Sequence, residues 1–154
     1  RGKDDDLAKA IAEKGGFFGV VIVPGFIQNN GSIATLDDFA NHVTHLVNIM
    51  GIDHVGIGTD ICANGPETGL IYDHEFPESM PGQIEYFKKH PDEFNWGGFR
   101  PEHRLTPDYR IEGYSNFGDW PNITVKLAEK GFNEDELKKL LGINYLRYFK
   151  EVVG

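Results

Sequence analysis

At 154 residues the chain can bury one real core, yet it is short for a complete (β/α)8 barrel, which needs about 250 residues. Lys+Arg 15 against Asp+Glu 24 give a formal charge of -9, which opposes nucleic-acid binding because that requires a positive footprint. No uninterrupted apolar run is long enough to cross a bilayer, and the one cysteine, Cys62, excludes an internal disulfide framework and a thiolate zinc knuckle.

Asp4, Asp5 and Asp6 open a predicted helix to about Lys14, their charge suiting the positive end of the helix dipole. Leu7, Ala10, Ile11 and Lys14 recur at helical spacing, and Gly15-Gly16 ends the element. Phe17 to Val23 is a continuous apolar run that predicts a strand buried on both faces, stopped by Pro24-Gly25. Thr35 is a candidate N-cap, with Asp38 three residues on, for a helix to Met50. Leu36, Phe39, Ala40, Val43, Leu46, Val47 and Met50 form one apolar stripe along it. Gly51 closes it, and a second strand ends near Gly58. Helix, strand, helix, strand with short connections is the rhythm of parallel βα units.

From Ile61 to about Trp120 the sequence reads as a long irregular loop holding six of the eight prolines, with a short helix near Gln83 to Lys89. Loops of that length are uncommon unless they close over a site or are disordered insertions. Beyond it, Pro121 starts a helix to Lys130 that Gly131 stops, and Asn133 with Glu136 has capping-box spacing for the next. Leu137, Leu140 and Leu141 form the buried side of that helix. After Gly142 a last helix from about Asn144 to Val152 is expected to turn Leu146 and Phe149 inward.

The segment His54-Val55-Gly56-Ile57-Gly58-Thr59-Asp60 is the most informative. In a period-two strand Val55 and Ile57 share one side, and Gly56 and Gly58 leave the other open. A carboxylate just past the C-terminal end of a parallel strand stands where α/β enzymes keep their chemistry, although an ordinary Asp turn has the same spelling. The histidines assemble no metal cage: His42 and His45 fall away from the apolar stripe, His54 sits at the far end of the strand from Asp60, and His74, His90 and His103 are irregularly spaced. Cys62 has no local histidine to activate it and reads as a small filler. Gly56-x-Gly58 lacks the rest of a dinucleotide fingerprint.

Three separated blocks, in order, resemble the membrane (renal) dipeptidase family, zinc peptidases of class M19. They are "GIDHVGIGTD" (Gly51 to Asp60), the stretch Gly113 to Phe149 with its ending Gly142, Asn144, Leu146, Arg147 and Phe149, and the opening "RGKDDDLAKAIAEKGGFFGVVIVPGFI". The resemblance implies that residues 1–154 are the C-terminal portion of a (β/α)8 TIM-type, metallo-dependent hydrolase-like barrel, incomplete in this chain, with a long insertion at about 61–120. It implies two zinc ions whose ligands lie upstream of Arg1, so none of the metal ligands falls in this chain. An opening at Arg1 and not at methionine fits a processed product, a trimmed chain or a fragment, and leaves the compartment open between cytoplasmic and others.

Residue by residue, Asp60 matches the family's catalytic aspartate, which handles a proton. Arg1 matches the arginine that holds the dipeptide's free carboxylate, which a forked, permanently charged guanidinium suits. Phe26 stands where the animal enzymes carry a substrate-contacting tyrosine, and Ile61-Cys62-Ala63 replaces their Phe-Asp-Gly. The expected partner is a dipeptide, with neither nucleic acid nor a membrane segment, and with exposed sheet edges that favour self-association. Two other readings stay open: a catalytically altered family member that binds a peptide or small molecule, and a different barrel hydrolase acting on amides or lactones.

Overall fold

The computed structural model describes residues 3–28, 34–60, 89–90, 111–115 and 117–154. The chain divides into two compact units, one of Arg1–Val21, Asp37–Thr59 and Ile123–Gly154, the other of Ile22–Leu36 and Asp60–Asn122.

In the first unit, helix α1 (Asp5–Glu13) starts where Asp4 accepts a hydrogen bond from the Leu7 amide at 2.8 Å, with Asp5 and Asp6 in its first turn. Strand β1 (Phe18–Val20) pairs in parallel with β2 (Val55–Ile57) in the register Phe18↔Val55, Gly19↔Gly56, Val20↔Ile57. The Gly58 amide extends the ladder by donating to the Val20 carbonyl at 2.9 Å. The expected strand Phe17 to Val23 is thus shorter than its apolar run. Ile22 and Val23 are buried and carry no ladder.

Helix α3 (Leu36–Met50) has the bounds that its stripe predicts, and Phe39, Ala40 and Val43 are fully buried. Burying side chains the size of Phe39 and Val43 contributes about 1.5–3 kcal/mol each. Gly51, at φ +84°, ends the helix in a conformation that other residues adopt at a cost, and a 3₁₀ turn (Ile52–His54) leads into β2. Helix α4 (Trp120–Glu129) follows with Ile123 and Leu127 buried, and Gly131 closes it at φ +99°. Helix α5 (Glu134–Lys138) has the expected capping box: Asn133 accepts from the Asp135 and Glu136 amides, and Glu136 accepts from the Asn133 amide. A π-helical turn (Lys139–Ile143), kinked at Gly142, joins it to α6 (Asn144–Val153).

Two further expectations fail. Leu146 and Phe149 do not turn inward; they are 65% and 49% exposed, and the residue driven into the core is Asn144, 2% exposed. The kink at Gly142 resets the helical phase, and two hydrogen bonds from Asn144 then fix how α6 is rotated. The side of β2 carrying Gly56 is not open either. A Cβ on Gly56 would lie 2.5 Å from the Phe17 ring and 3.3 Å from the Leu140 carbonyl oxygen. Phe17 in turn packs edge-on to Tyr145 and stacks on Tyr148, with centroids 5.8 and 6.1 Å away. The glycine is a socket for an aromatic ring.

In the second unit, Pro24 does not stop a strand but opens a short helix, α2 (Pro24–Ile27), where its missing N–H costs nothing. Among its described residues, Ile22, Val23, Ile27, Ala34, Leu36, Ile111 and Tyr114 are buried apolar side chains. Thr35 bridges Glu112 in parallel; the Leu36 amide donates to Glu112 O at 2.9 Å and the Glu112 amide to Ala34 O at 2.8 Å. Gly113, at φ +92°, lets the chain turn against Leu36, whose Cδ1 would sit 3.0 Å from an added Cβ. The end of the expected loop is therefore structured. The helix expected near Gln83 to Lys89 and most of the 61–120 stretch lie outside the described residues.

Candidate functional site

Because β1 and β2 run in the same direction side by side, both leave the pair at the same end. From β1 the chain passes through Val21–Val23 to α2, which carries Phe26; from β2 it passes through Gly58 and Thr59 to Asp60. Thr59 is buried and Asp60 is exposed. Asp60 has φ +58°, and among the described residues no other non-glycine has positive φ. That region costs most L-residues about 1–2 kcal/mol, and Asp is one of the few that visit it routinely. Strained backbone of this kind concentrates at working sites.

Phe26 is half-buried and belongs to the same unit as Asp60. Arg1 and Cys62 lie outside the described residues. His45 bonds through Nε2 to Asp5 at 2.9 Å on an exposed surface, and His42 is exposed on the same helix. His54 donates from Nδ1 to the Gly16 carbonyl at 2.8 Å, which ties the turn before β2 to the turn before β1. Among the described residues, no group of three or more His, Cys, Asp or Glu side chains could hold a metal ion.

Two features carried no signal that spacing alone exposes. Tyr114 is fully buried with its hydroxyl unpartnered, and burial, helped by the Asp119 charge, pushes its pKa up to about 12, so the phenol stays protonated. The second is a set of ties on the turn before β2. Asn144 Nδ2 donates to Ile52 O at 2.6 Å and to Val55 O at 2.8 Å, Arg147 Nη2 donates to Asp53 O at 2.9 Å, and Lys139 pairs with the Asp53 carboxylate at 2.6 Å. Only the recurrence of Asn and Arg in the ending Gly142 to Phe149 hinted at it.

Comparison with known proteins first defines a class. The mixed helix and strand arrangement matches an amidohydrolase from Pseudomonas aeruginosa with TM-score 0.66 and 27% identity, over 97% of this chain and 40% of that one. It also matches a dipeptidase described as a metallopeptidase of family M19, with TM-score 0.63 over 97% of this chain and 32% of that one; at 17% identity that likeness is one of fold. The sequence comparisons point to a family. The family model for membrane dipeptidase (peptidase family M19) matches residues 1–74, a span that includes Asp60. A dipeptidase of Claviceps purpurea is 18% identical over 99% of this chain and 26% of its own length. An uncharacterized dipeptidase of Schizosaccharomyces pombe is 38% identical over 53% of this chain and 20% of its own length. These findings support the membrane dipeptidase family as the family of this chain. The chain spans about a quarter of the length of the curated relatives it matches.

Proposed function

We propose that this chain is the C-terminal portion of a TIM-type barrel enzyme that hydrolyses dipeptides, with Asp60 as the residue that moves a proton. The observation that carries the reading is Asp60 itself: a carboxylate held exposed, in left-handed backbone, three residues past the end of β2 and inside the family-matched span. In hydrolysis, water adds to the peptide carbonyl carbon, the C–N bond breaks, and the leaving amine gains a proton. Asp60 takes up the proton that the attacking water loses and delivers it to that nitrogen.

Arg1 anchors the substrate's free carboxylate through paired N–H donors, which fixes the scissile bond before reaction. Phe26 forms part of the pocket wall, with no hydroxyl to offer. Metal dependence is implied by the family, and two zinc ions are the proposed complement. Among the described residues no donor set for them is found; in this reading other parts of the protein supply the ligands, and no step above passes through a metal.

Substrate choice tests the reading. Unmodified dipeptides and the same dipeptides with an amidated C-terminus are offered to the full-length protein with added zinc. The free dipeptides are expected to be cleaved at least tenfold faster, because amidation removes the charge that Arg1 binds. Equal rates on both, or turnover of neither, contradict it.

A further inference from the structure

We propose that Asn144 is the register lock of the strand that leads to Asp60, and so a positioning residue for the proposed hydrolysis; that second half rests on the function proposed above. The paired strands are poor in side chains at the places that matter. Gly19 lies opposite Gly56, and a Cβ on Gly58 would meet Gly19 Cα at 3.4 Å, so between these glycines backbone faces backbone, and the Phe17 ring over Gly56 is a side-chain contact that opposes a slide of β2 along β1. Gly-rich strands specify their register weakly. A slip of one residue moves the chain by about 3.3 Å, and Asp60 with it.

The geometry supplies a further constraint from the opposite edge. Because the Gly58 amide points to Val20 of β1, the backbone groups of Gly56 and Gly58 face β1, and those of Val55 and Ile57 face away from it. The Val55 carbonyl is on that far edge, and Asn144 Nδ2 donates to it at 2.8 Å. The second amide hydrogen of the same nitrogen goes to the Ile52 carbonyl at 2.6 Å, so both donors are spent on one four-residue stretch. One rigid amide therefore measures the chain from Ile52 to Val55 and holds β2 at its entry. Arg147 and Lys139 tie Asp53, between those two points, from the half-exposed side. Asn144 is buried, so its bonds do not compete with water. A misplacement of about 1 Å at a reacting group can cost a hundredfold in rate, which makes a strand lock a catalytic requirement.

The test compares wild type, Asn144→Asp and Arg147→Gln in the full-length protein. Asn144→Asp keeps the side-chain volume and removes both donors. Two readouts are taken: hydrogen exchange of the Gly58 amide relative to the amides of α3, and kcat and KM for dipeptide hydrolysis per folded enzyme. Asn144→Asp is expected to speed Gly58 exchange at least tenfold relative to α3, and to lower kcat at least tenfold with KM within twofold. Arg147→Gln is expected to do the same two- to fivefold. Unchanged relative exchange overturns the lock. Faster exchange with unchanged kcat overturns the positioning role, since a residue serving stability alone lowers the melting temperature and spares kcat. If Asn144→Asp does not fold, Arg147→Gln decides by the same two criteria. If wild type cleaves no dipeptide, the functional reading fails, while the exchange readout still judges the lock.

Discussion

Helix α3 and the β1–β2 pair are fixed in place by different means. Along α3 the stripe of Phe39, Ala40 and Val43 buries completely, and rotation of the helix by one position would expose it. Its polar side adds little: Asp37 meets Lys130 at 2.9 Å and Asn41 at 3.4 Å, all on an exposed surface. The strand pair inverts this. Its central positions are glycines, the Phe17 ring sits over Gly56, Val20 and Val55 are buried beside them, and polar ties at 52–55 add to its placement. An element rich in apolar side chains specifies itself, whereas one built from glycines borrows its position from neighbours.

The largest effect that would break this contrast lies on α3. Phe39→Ala is expected to cost about 3–5 kcal/mol in denaturant unfolding, because it leaves a cavity in a fully buried stripe. A cost below about 1 kcal/mol would mean that the stripe does not set the helix. Next comes the strand pair, where the two glycines should differ. Gly56→Ala brings a Cβ to 2.5 Å from Phe17 and is expected to cost about 1–3 kcal/mol, the usual range for overpacking. Gly58→Ala meets Gly19 Cα at 3.4 Å, an ordinary contact, and is expected to cost less. In a Phe17→Leu background the Gly56 penalty should shrink; an unchanged penalty would remove the ring from the account.

The smallest effect sharpens the view of α3's polar side. Lys130 holds the Asp37 carboxyl below its ordinary value. The folded pKa is the lower one, so this pair stabilises above the usual carboxylate range and the contribution disappears as pH falls through that range. Since Asp37 is exposed, Asp37→Asn should only slightly flatten the acid side of a melting-temperature profile, and added salt should erase the difference.

Legibility in the sequence follows the same division. The bounds of α3, the capping box of Asn133 and Glu136, and the stops at Gly51 and Gly131 all have local causes, and each is where the spacing predicts it. The inward turn of Leu146 and Phe149 failed because apolar spacing marks a face of the last helix without saying which face meets the core, and the hydrogen bonds of Asn144 turn the other face inward. The strand Phe17 to Val23 was over-extended because an apolar run marks burial, and burial at Ile22 and Val23 comes without a ladder. At the candidate site, spacing places Asp60 past the strand end, but its left-handed backbone is a property of the folded turn. Asn144 was visible only as a motif letter, since its partners lie about ninety residues away in sequence.

The most direct test of the central claim is the turnover of Asp60→Asn in the full-length protein, measured on free dipeptides together with metal content and melting temperature. Asn also tolerates the left-handed conformation, so folding should be unaffected, whereas Asp60→Ala should lose about 1 kcal/mol for backbone reasons alone. The expected result for Asp60→Asn is a loss of at least a hundredfold in kcat with metal content and melting temperature unchanged. Near-normal turnover by that variant would contradict the assignment of the proton to Asp60.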